Sequence, residues 1–128
     1  MEFPTELQYT PTHEWVKREG NRVRVGITEY AQQEISDVVF VELPKINLGA
    51  GKGKGIAVVE SVKAAFDIYA PVTGTVDQVN TALESDPALV NKDPCGRGWL
   101  FEIEMKDSAE WATLLKAEQY RSQCITIH

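Results

Sequence analysis

Apolar and polar residues alternate most cleanly between Arg22 and Ile27, where Val23, Val25 and Ile27 are interleaved with Arg22, Arg24 and Gly26. A period of two puts the three β-branched residues on one face of a strand. Together with the stretch from His13 and a break at Glu19, Gly20 and Asn21, the segment from His13 to Thr28 reads as a half-buried hairpin. The alternation stops at Glu29. From there to Ile35 β-branched residues are scarce, and Tyr30, Ala31, Glu34 and Ile35 fall on one side of a short helix behind a Thr28 cap.

The run Val38 to Leu43 is β-rich without clean alternation, as expected of a strand covered on both faces, and Pro44 ends it. A loop of glycine and lysine, Gly49 to Gly55, leads into the apolar strand Ile56 to Val59. The chain then reverses around Val62, Lys63 and Ala64 and returns as Phe66 to Tyr69. Pro71 and Gly74 mark a turn, Thr75 to Val79 the next strand, and Pro87 to Val90 a helical turn before the breaker-rich stretch NKDPCGRG. In the last long strand, Trp99 to Met105, Trp99, Phe101, Ile103 and Met105 share one face, with Leu100, Glu102 and Glu104 on the other. Asp107 with Glu110 resembles a capping box, and Trp111, Leu114 and Leu115 follow at helical spacing, so a closing helix is expected there. Short strands at regular turn spacing predict a mainly β fold of two packed antiparallel sheets with short helices and a C-terminal helix.

With 128 residues, 43% of them hydrophobic, the chain suffices for one core, and residues 1–128 read as a single domain. The net charge of −6 argues against nucleic acid as a partner, because phosphate recognition wants clustered positive charge. No apolar run approaches the roughly 20 residues of a membrane helix. The opening MEFPTELQYT has neither the basic start nor the apolar core of a signal peptide, so a soluble, unexported protein is expected. Cys95 and Cys124 lie far apart without CxxC spacing, which predicts two reduced thiols and neither a disulfide framework nor a zinc site.

Candidate chemistry is sparse. The stretch GAGKGKG fails the spacing of both the Walker loop and the dinucleotide fingerprint, and reads as a solvated connection. His13 and His128 stand at opposite ends of the chain, so no metal pair is expected and no base is placed beside a nucleophile. His13 itself reads as a partly buried, hydrogen-bonded histidine. Hydrolase triads and paired catalytic carboxylates are not evident, and no catalytic residue is assigned. What stands out is AVVESVKAAFDIYAPVTGTV, Ala57 to Val76, which presents one lysine at the tip of a hairpin between apolar strands, flanked by Val62 and Ala64.

The motif ESVKA, Glu60 to Ala64, resembles the lipoylation site of glycine cleavage H proteins. The resemblance runs in order through HEWV at His13 to Val16, VGITEYAQ at Val25 to Gln32, DVVFVELP at Asp37 to Pro44, APVTGTV at Ala70 to Val76, LVNKDP at Leu89 to Pro94 and GWLFEIEM at Gly98 to Met105. Biotinyl domains place methionine on both sides of the modified lysine, and lipoyl domains of 2-oxoacid dehydrogenases typically place aspartate before it, where Val62 stands here. Cys95 departs from the family pattern, which commonly has an aromatic residue in that turn.

The resemblance implies a barrel-sandwich hybrid of the lipoyl-domain type and a carrier that is not itself an enzyme. It implies lipoate held as an amide on Lys63, with Glu60, Ser61, Val62 and Ala64 as the recognition residues around the lysine. It further implies an aminomethyl group received from glycine after decarboxylation by the pyridoxal phosphate P protein and passed to tetrahydrofolate by the T protein. Reoxidation would fall to the L protein, dihydrolipoamide dehydrogenase, and lipoyl-attaching enzymes would complete the partner list. Glu14, Asp67 and Thr12 match family positions for a pocket that shelters the charged arm. A monomer is expected, in the bacterial cytoplasm or, for a eukaryotic mature form, the mitochondrial matrix. The other use of such a lysine is as a lipoyl donor in lipoate metabolism. A bare β-sandwich interaction module would leave Lys63 unmodified.

Overall fold

Two antiparallel sheets divide the strands. The computed structural model describes residues 3–126, with side chains described as far as Cys124, so that His128 lies outside the described residues. In chain order the elements are β1 (Gln8–Tyr9), β2 (Glu14–Glu19), β3 (Arg22–Ile27), α1 (Glu29–Ile35), β4 (Val38–Glu42), β5 (Gly49–Ala50), β6 (Gly55–Ser61) and β7 (Ala65–Tyr69). They continue as β8 (Gly74–Val79), α2 (Ala82–Ser85), α3 (Leu89–Lys92), β9 (Phe101–Met105), a 3-10 helix (Ser108–Thr113), β10 (Leu115–Lys116) and α4 (Ala117–Thr126). One sheet has seven strands in the order β10-β1-β2-β3-β9-β8-β5, and the other has three in the order β4-β6-β7.

The β2–β3 hairpin turns over two residues, since Glu19 faces Arg22, and Gly20 supplies the positive φ of 62° that such a turn requires. Its alternation survives: Val23 and Val25 are fully buried, as is Val16 opposite Val25. From the small sheet Val41, Ala57, Val59 and Ile68 meet them in one continuous apolar core. Each fully buried valine there contributes on the order of 1.5 kcal/mol or more, so the sheets are held mainly by these inward positions. The Thr28 hydroxyl accepts the Ala31 N–H and starts α1 as expected, with Tyr30 and Ile35 buried, but Glu34 is exposed.

A second apolar cluster joins the chain ends to α1. Tyr9 and Tyr120 stack with centroids 4.8 Å apart, and Leu7, Trp15, Tyr30 and Cys124 pack around them. The Trp15 indole N–H donates to the Pro94 carbonyl at 2.8 Å. It lies so close to Gly26 that a Cβ there would fall 2.7 Å from the ring, which explains the glycine in an otherwise valine-rich strand.

Four expectations are corrected. Strand β4 is not covered on both faces: Val39 is 55% exposed and Phe40 51%. A bulge between Val38 and Phe40 shifts the phase of alternation, so the irregular pattern came from a bulge and not from double burial. The glycine and lysine loop is shortened by β5, which pairs with Thr75 and Gly74. Glu102, placed on the polar face of β9, is 8% exposed, because Arg24 covers it through a 2.7 Å ion pair. Finally, the closing helix begins at Ala117. Asp107 does cap a helical segment by accepting the Ala109 N–H, but that segment is the 3-10 helix, and Leu115–Lys116 then pair with β1. Glu110 does not complete a capping box. Its carboxylate instead accepts the Thr73 N–H at 2.6 Å and the Thr73 hydroxyl at 3.1 Å.

Candidate functional site

Lys63 occupies the turn between β6 and β7, and its backbone is held from three directions. The Ser61 N–H donates to the Ala64 carbonyl at 2.9 Å, the Ser61 hydroxyl oxygen accepts the Lys63 N–H at 3.1 Å and the Ala64 N–H at 3.4 Å, and the Val62 N–H reaches across to the Asp37 carbonyl at 3.0 Å. Ser61 is therefore the residue that shapes the turn, and Val62 ties it to the start of β4. The side chain of Lys63 is exposed, and its ammonium donates to the Glu34 carbonyl, near the end of α1, at 3.0 Å. A fixed backbone with a solvated primary amine is what an attachment point for a long acyl arm requires, since modification then disturbs no packing.

The second part of the site is a cleft of about 310 Å³ bordered by Tyr9, Thr10, Thr12, Glu14, Lys52 and Tyr69. Glu14, at the first position of β2, is 1% exposed. Its Oε1 accepts hydrogen bonds from the Thr12 hydroxyl, at 2.6 Å, and from the Thr10 hydroxyl, while Oε2 accepts the Tyr69 N–H at 3.3 Å. Burial raises the Glu14 pKa above the usual carboxylate range, and these hydrogen bonds oppose the rise. Neither of the two ion pairs among the described residues involves Glu14. A desolvated carboxylate without a cation is unfavourable on its own, and a cationic ligand entering the cleft would relieve it.

The structure thus brings Glu14 and Thr12 together, and it adds Thr10 and Tyr69, which the sequence reading missed. Thr10, Thr12 and Glu14 do stand at a spacing of two, but His13 between them has a φ of 76°, so the segment is no strand and the spacing alone did not signal convergence. Asp67 is not brought into the cleft. It is exposed, pairs opposite Val58, and shares the outer face of β7 with Ala65 and Tyr69. That face links the two parts of the site: the five residues of β7, about 13 Å from end to end, run from the turn that carries Lys63 to Tyr69, with Asp67 between them.

His13 is half-buried, and its Nδ1 lies 2.7 Å from the Tyr120 hydroxyl, which in turn lies 2.7 Å from the Thr28 hydroxyl. Burial lowers its pKa, so its task is to tie α4 to the start of β2 rather than to carry charge. Both cysteines are free thiols, and burial pushes the Cys95 thiol up to about 11. Cys95 packs against the second apolar cluster in the place of the expected aromatic residue. No group of three or more His, Cys, Asp or Glu among the described residues is arranged to hold a metal. No helix among the described residues is long and apolar enough to cross a membrane.

The family model described as glycine cleavage H-protein matches residues 7–127. A glycine cleavage system H protein from Thermus thermophilus is 52% identical over 121 residues, covering 94% of this chain and 94% of that protein. One from Coxiella burnetii is 48% identical over 122 residues, again covering 94% of each. Among solved structures, the crystal structure of a glycine cleavage system H protein from Mycobacterium marinum superposes with a TM-score of 0.87 at 37% identity, covering 94% of this chain and 98% of that one.

Proposed function

Since the chain belongs to the glycine cleavage H-protein family and is a lipoyl carrier of the glycine cleavage system rather than an enzyme, we propose that Lys63 is the residue that holds its lipoyl group. The observation that carries this reading is the turn around Lys63, where the N–H groups of Ser61, Val62, Lys63 and Ala64 are all tied while the lysine side chain is exposed, its amine held only by the Glu34 carbonyl. When bound, a lipoyl amide supplies a reversible disulfide and a sulfur on which a one-carbon unit can travel. Glu60, Ser61, Val62 and Ala64 present the lysine to the lipoyl-attaching enzyme, with Ser61 setting the turn geometry.

The rest of the mechanism belongs to the chain's own groups. The outer face of β7 lies between Lys63 and the cleft, with Asp67 along it. In the cleft Glu14, held by Thr10, Thr12 and the Tyr69 N–H, would hold the ammonium of a carried aminomethyl group. A carboxylate in a partly dry cleft favours the protonated amine, and protonation occupies the nitrogen lone pair whose donation would expel the one-carbon unit. The cleft walls exclude water from the same atoms. Asp67 lends a weaker, solvated charge along the route.

The P protein, the T protein and the L protein act on this arm in turn, and a monomeric carrier in the cytoplasm leaves the Lys63 corner open to each of them. Tethering raises the effective concentration of the arm at whichever partner is docked. Donation of the lipoyl group to other complexes also needs Lys63 but asks nothing of the Glu14 cleft, and the cleft favours the carrier reading. Intact-mass analysis of the protein purified from lipoate-supplied cells tests the assignment: wild type should carry one lipoyl group and Lys63→Arg none. A lipoylated Lys63→Arg protein would refute it.

A further inference from the structure

The loop of glycine and lysine between β5 and β6 lies on the rim of the Glu14 cleft, and it is pinned there. The Gly53 N–H donates to the Ala70 carbonyl and the Ala70 N–H to the Lys54 carbonyl, each at 2.8 Å. Among the described residues, Glu14 is the one acidic side chain that borders the cleft and Lys52 the one basic side chain. Opposite charges that share a cleft attract, the more strongly as water is excluded. These two are nevertheless unpaired, since the ion pairs of the described residues join Arg22 to Asp77 and Arg24 to Glu102.

A neutral anchor on the 3-10 helix holds Lys52 instead. Its ammonium donates to the Thr113 hydroxyl, and its backbone N–H donates to the Thr73 hydroxyl at 3.1 Å. Each hydroxyl has a single proton, and both protons go to Glu110: Thr113 donates to its carbonyl at 2.6 Å and Thr73 to its carboxylate at 3.1 Å. Both hydroxyl oxygens are thereby left to accept, which is the role Lys52 requires of them. The Glu110 carboxylate also accepts the Thr73 N–H, so it is engaged as well. Lys52 is tied at both ends to one unit, outside ion-pair distance of the carboxylate it would otherwise neutralise. A Lys52–Glu14 pair would fill the acceptor, and a guest cation would then compete with one tethered at high effective concentration.

We propose that Thr113 is a positioning residue that parks the Lys52 ammonium off Glu14, and so keeps the carboxylate of the cleft open to the cation carried on the arm. The proposal rests on the reading of Glu14 as the acceptor of that cation. No other titratable group around Glu14 takes the place of Lys52. Tyr9 and Tyr69 in the cleft are never cationic, and His13, next in the chain, is half-buried with its Nδ1 2.7 Å from the Tyr120 hydroxyl.

The test compares Thr113→Val, Lys52→Met and the double variant with wild type. Thr113 is exposed, and valine keeps its shape, so the fold should persist. In the unlipoylated protein the Glu14 carboxyl is titrated by carbon NMR. Thr113→Val should lower its midpoint by about half a pH unit, because a freed ammonium favours the carboxylate, and the double variant should return it to or above the wild-type value. In the loaded carrier without T protein, Thr113→Val should release formaldehyde and ammonia about threefold faster, with Lys52→Met and the double variant within about twofold of wild type. A purely structural defect from Thr113→Val would not be reversed at Lys52. An unchanged midpoint in Thr113→Val overturns the proposal, and so does a shift that persists without Lys52. A midpoint raised by about a full unit in Lys52→Met alone also overturns it, since the lysine would then already pair with Glu14 in wild type. Release that responds to Glu14→Gln but not to Thr113→Val is equally fatal. If the midpoint shifts as expected while neither Thr113→Val nor Glu14→Gln alters release, the parking of Lys52 stands and the reading of Glu14 as cation acceptor fails.

Discussion

The turn at Lys63 and the cleft at Glu14 achieve opposite things with the same kind of element, the end of a β-strand. At the turn the backbone is fixed and the charge stays in solvent: Lys63 is exposed, and its ammonium makes a single hydrogen bond, to the Glu34 carbonyl. At the cleft the charge is fixed, with both Glu14 oxygens accepting hydrogen bonds at 1% exposure. On the proposed reading, an arm attached to the first would sweep between partners, and a charge received by the second would be held still. The contrast teaches that a solvated attachment point and a desolvated acceptor are separated in space and joined by one face of β7.

The most severe way to break this division is at the turn. Lys63→Arg should abolish lipoylation, because guanidinium does not form the lipoyl amide, and should change stability by no more than about 0.5 kcal/mol, as exposed substitutions do. Intact mass and a thermal melt check both halves. Gly74→Val attacks the scaffold instead. A Cβ at Gly74 would sit 2.0 Å from the Glu104 carbonyl oxygen and 2.7 Å from Ile103 Cγ2, where strands β8 and β9 pair. The reason is this close approach and not a positive φ, which Gly74 does not have. The loss should be about 3 kcal/mol, a fall in melting temperature of roughly 10 °C or more.

Glu14→Gln keeps the hydrogen-bonding shape and removes the charge. Loaded carrier kept without T protein should release formaldehyde and ammonia at least about fivefold faster than wild type, because a buried ion pair exceeds the ~1 kcal/mol of an exposed one. Lipoylation should be unchanged, and equal release rates would remove Glu14 from the mechanism. The same residue sets a pH dependence. Its folded pKa is raised, so the protonated form favours folding, and that contribution is complete at low pH and lost as pH rises through the folded pKa. Glu14→Gln should therefore melt higher than wild type at pH 7, with the gap closing as pH falls below the ordinary carboxylate range. A gap that widens on acidification would contradict the burial of an uncompensated charge. Asp67→Asn should have the smallest effect, under about twofold on release, since an exposed charge is well screened.

Local signals carried the hairpin, the Thr28 cap, the reversal at Lys63 and the last long strand, each of which depends on residues a few positions apart. They failed where distant segments decide the outcome. The irregular pattern of β4 allowed either double burial or a bulge, and only pairing with β6 selects the bulge. Trp111, Leu114 and Leu115 have helical spacing, yet Leu115 is claimed by Tyr9 across the sheet, and Glu110 is drawn away to Thr73. Glu14 and Asp67 looked alike as acidic residues, and the structure separates them into a buried acceptor and an exposed one.

The amino-acid sequence alone determined the turn that presents Lys63, because a reversal around Val62, Lys63 and Ala64 is written in contiguous residues, and most of its hydrogen bonds come from Ser61 and Ala64 within it, with one from Val62 to the distant Asp37 carbonyl. It also determined the family, through motifs that recur in order along nearly the whole chain. The tertiary structure alone decided what surrounds Glu14. Its partners come from two separate segments, Thr10 and Thr12 from just before β2, and Tyr69 from 55 positions further along the chain. Desolvation, unlike turn geometry, is a property of everything that packs around a group, and no local stretch of sequence contains it.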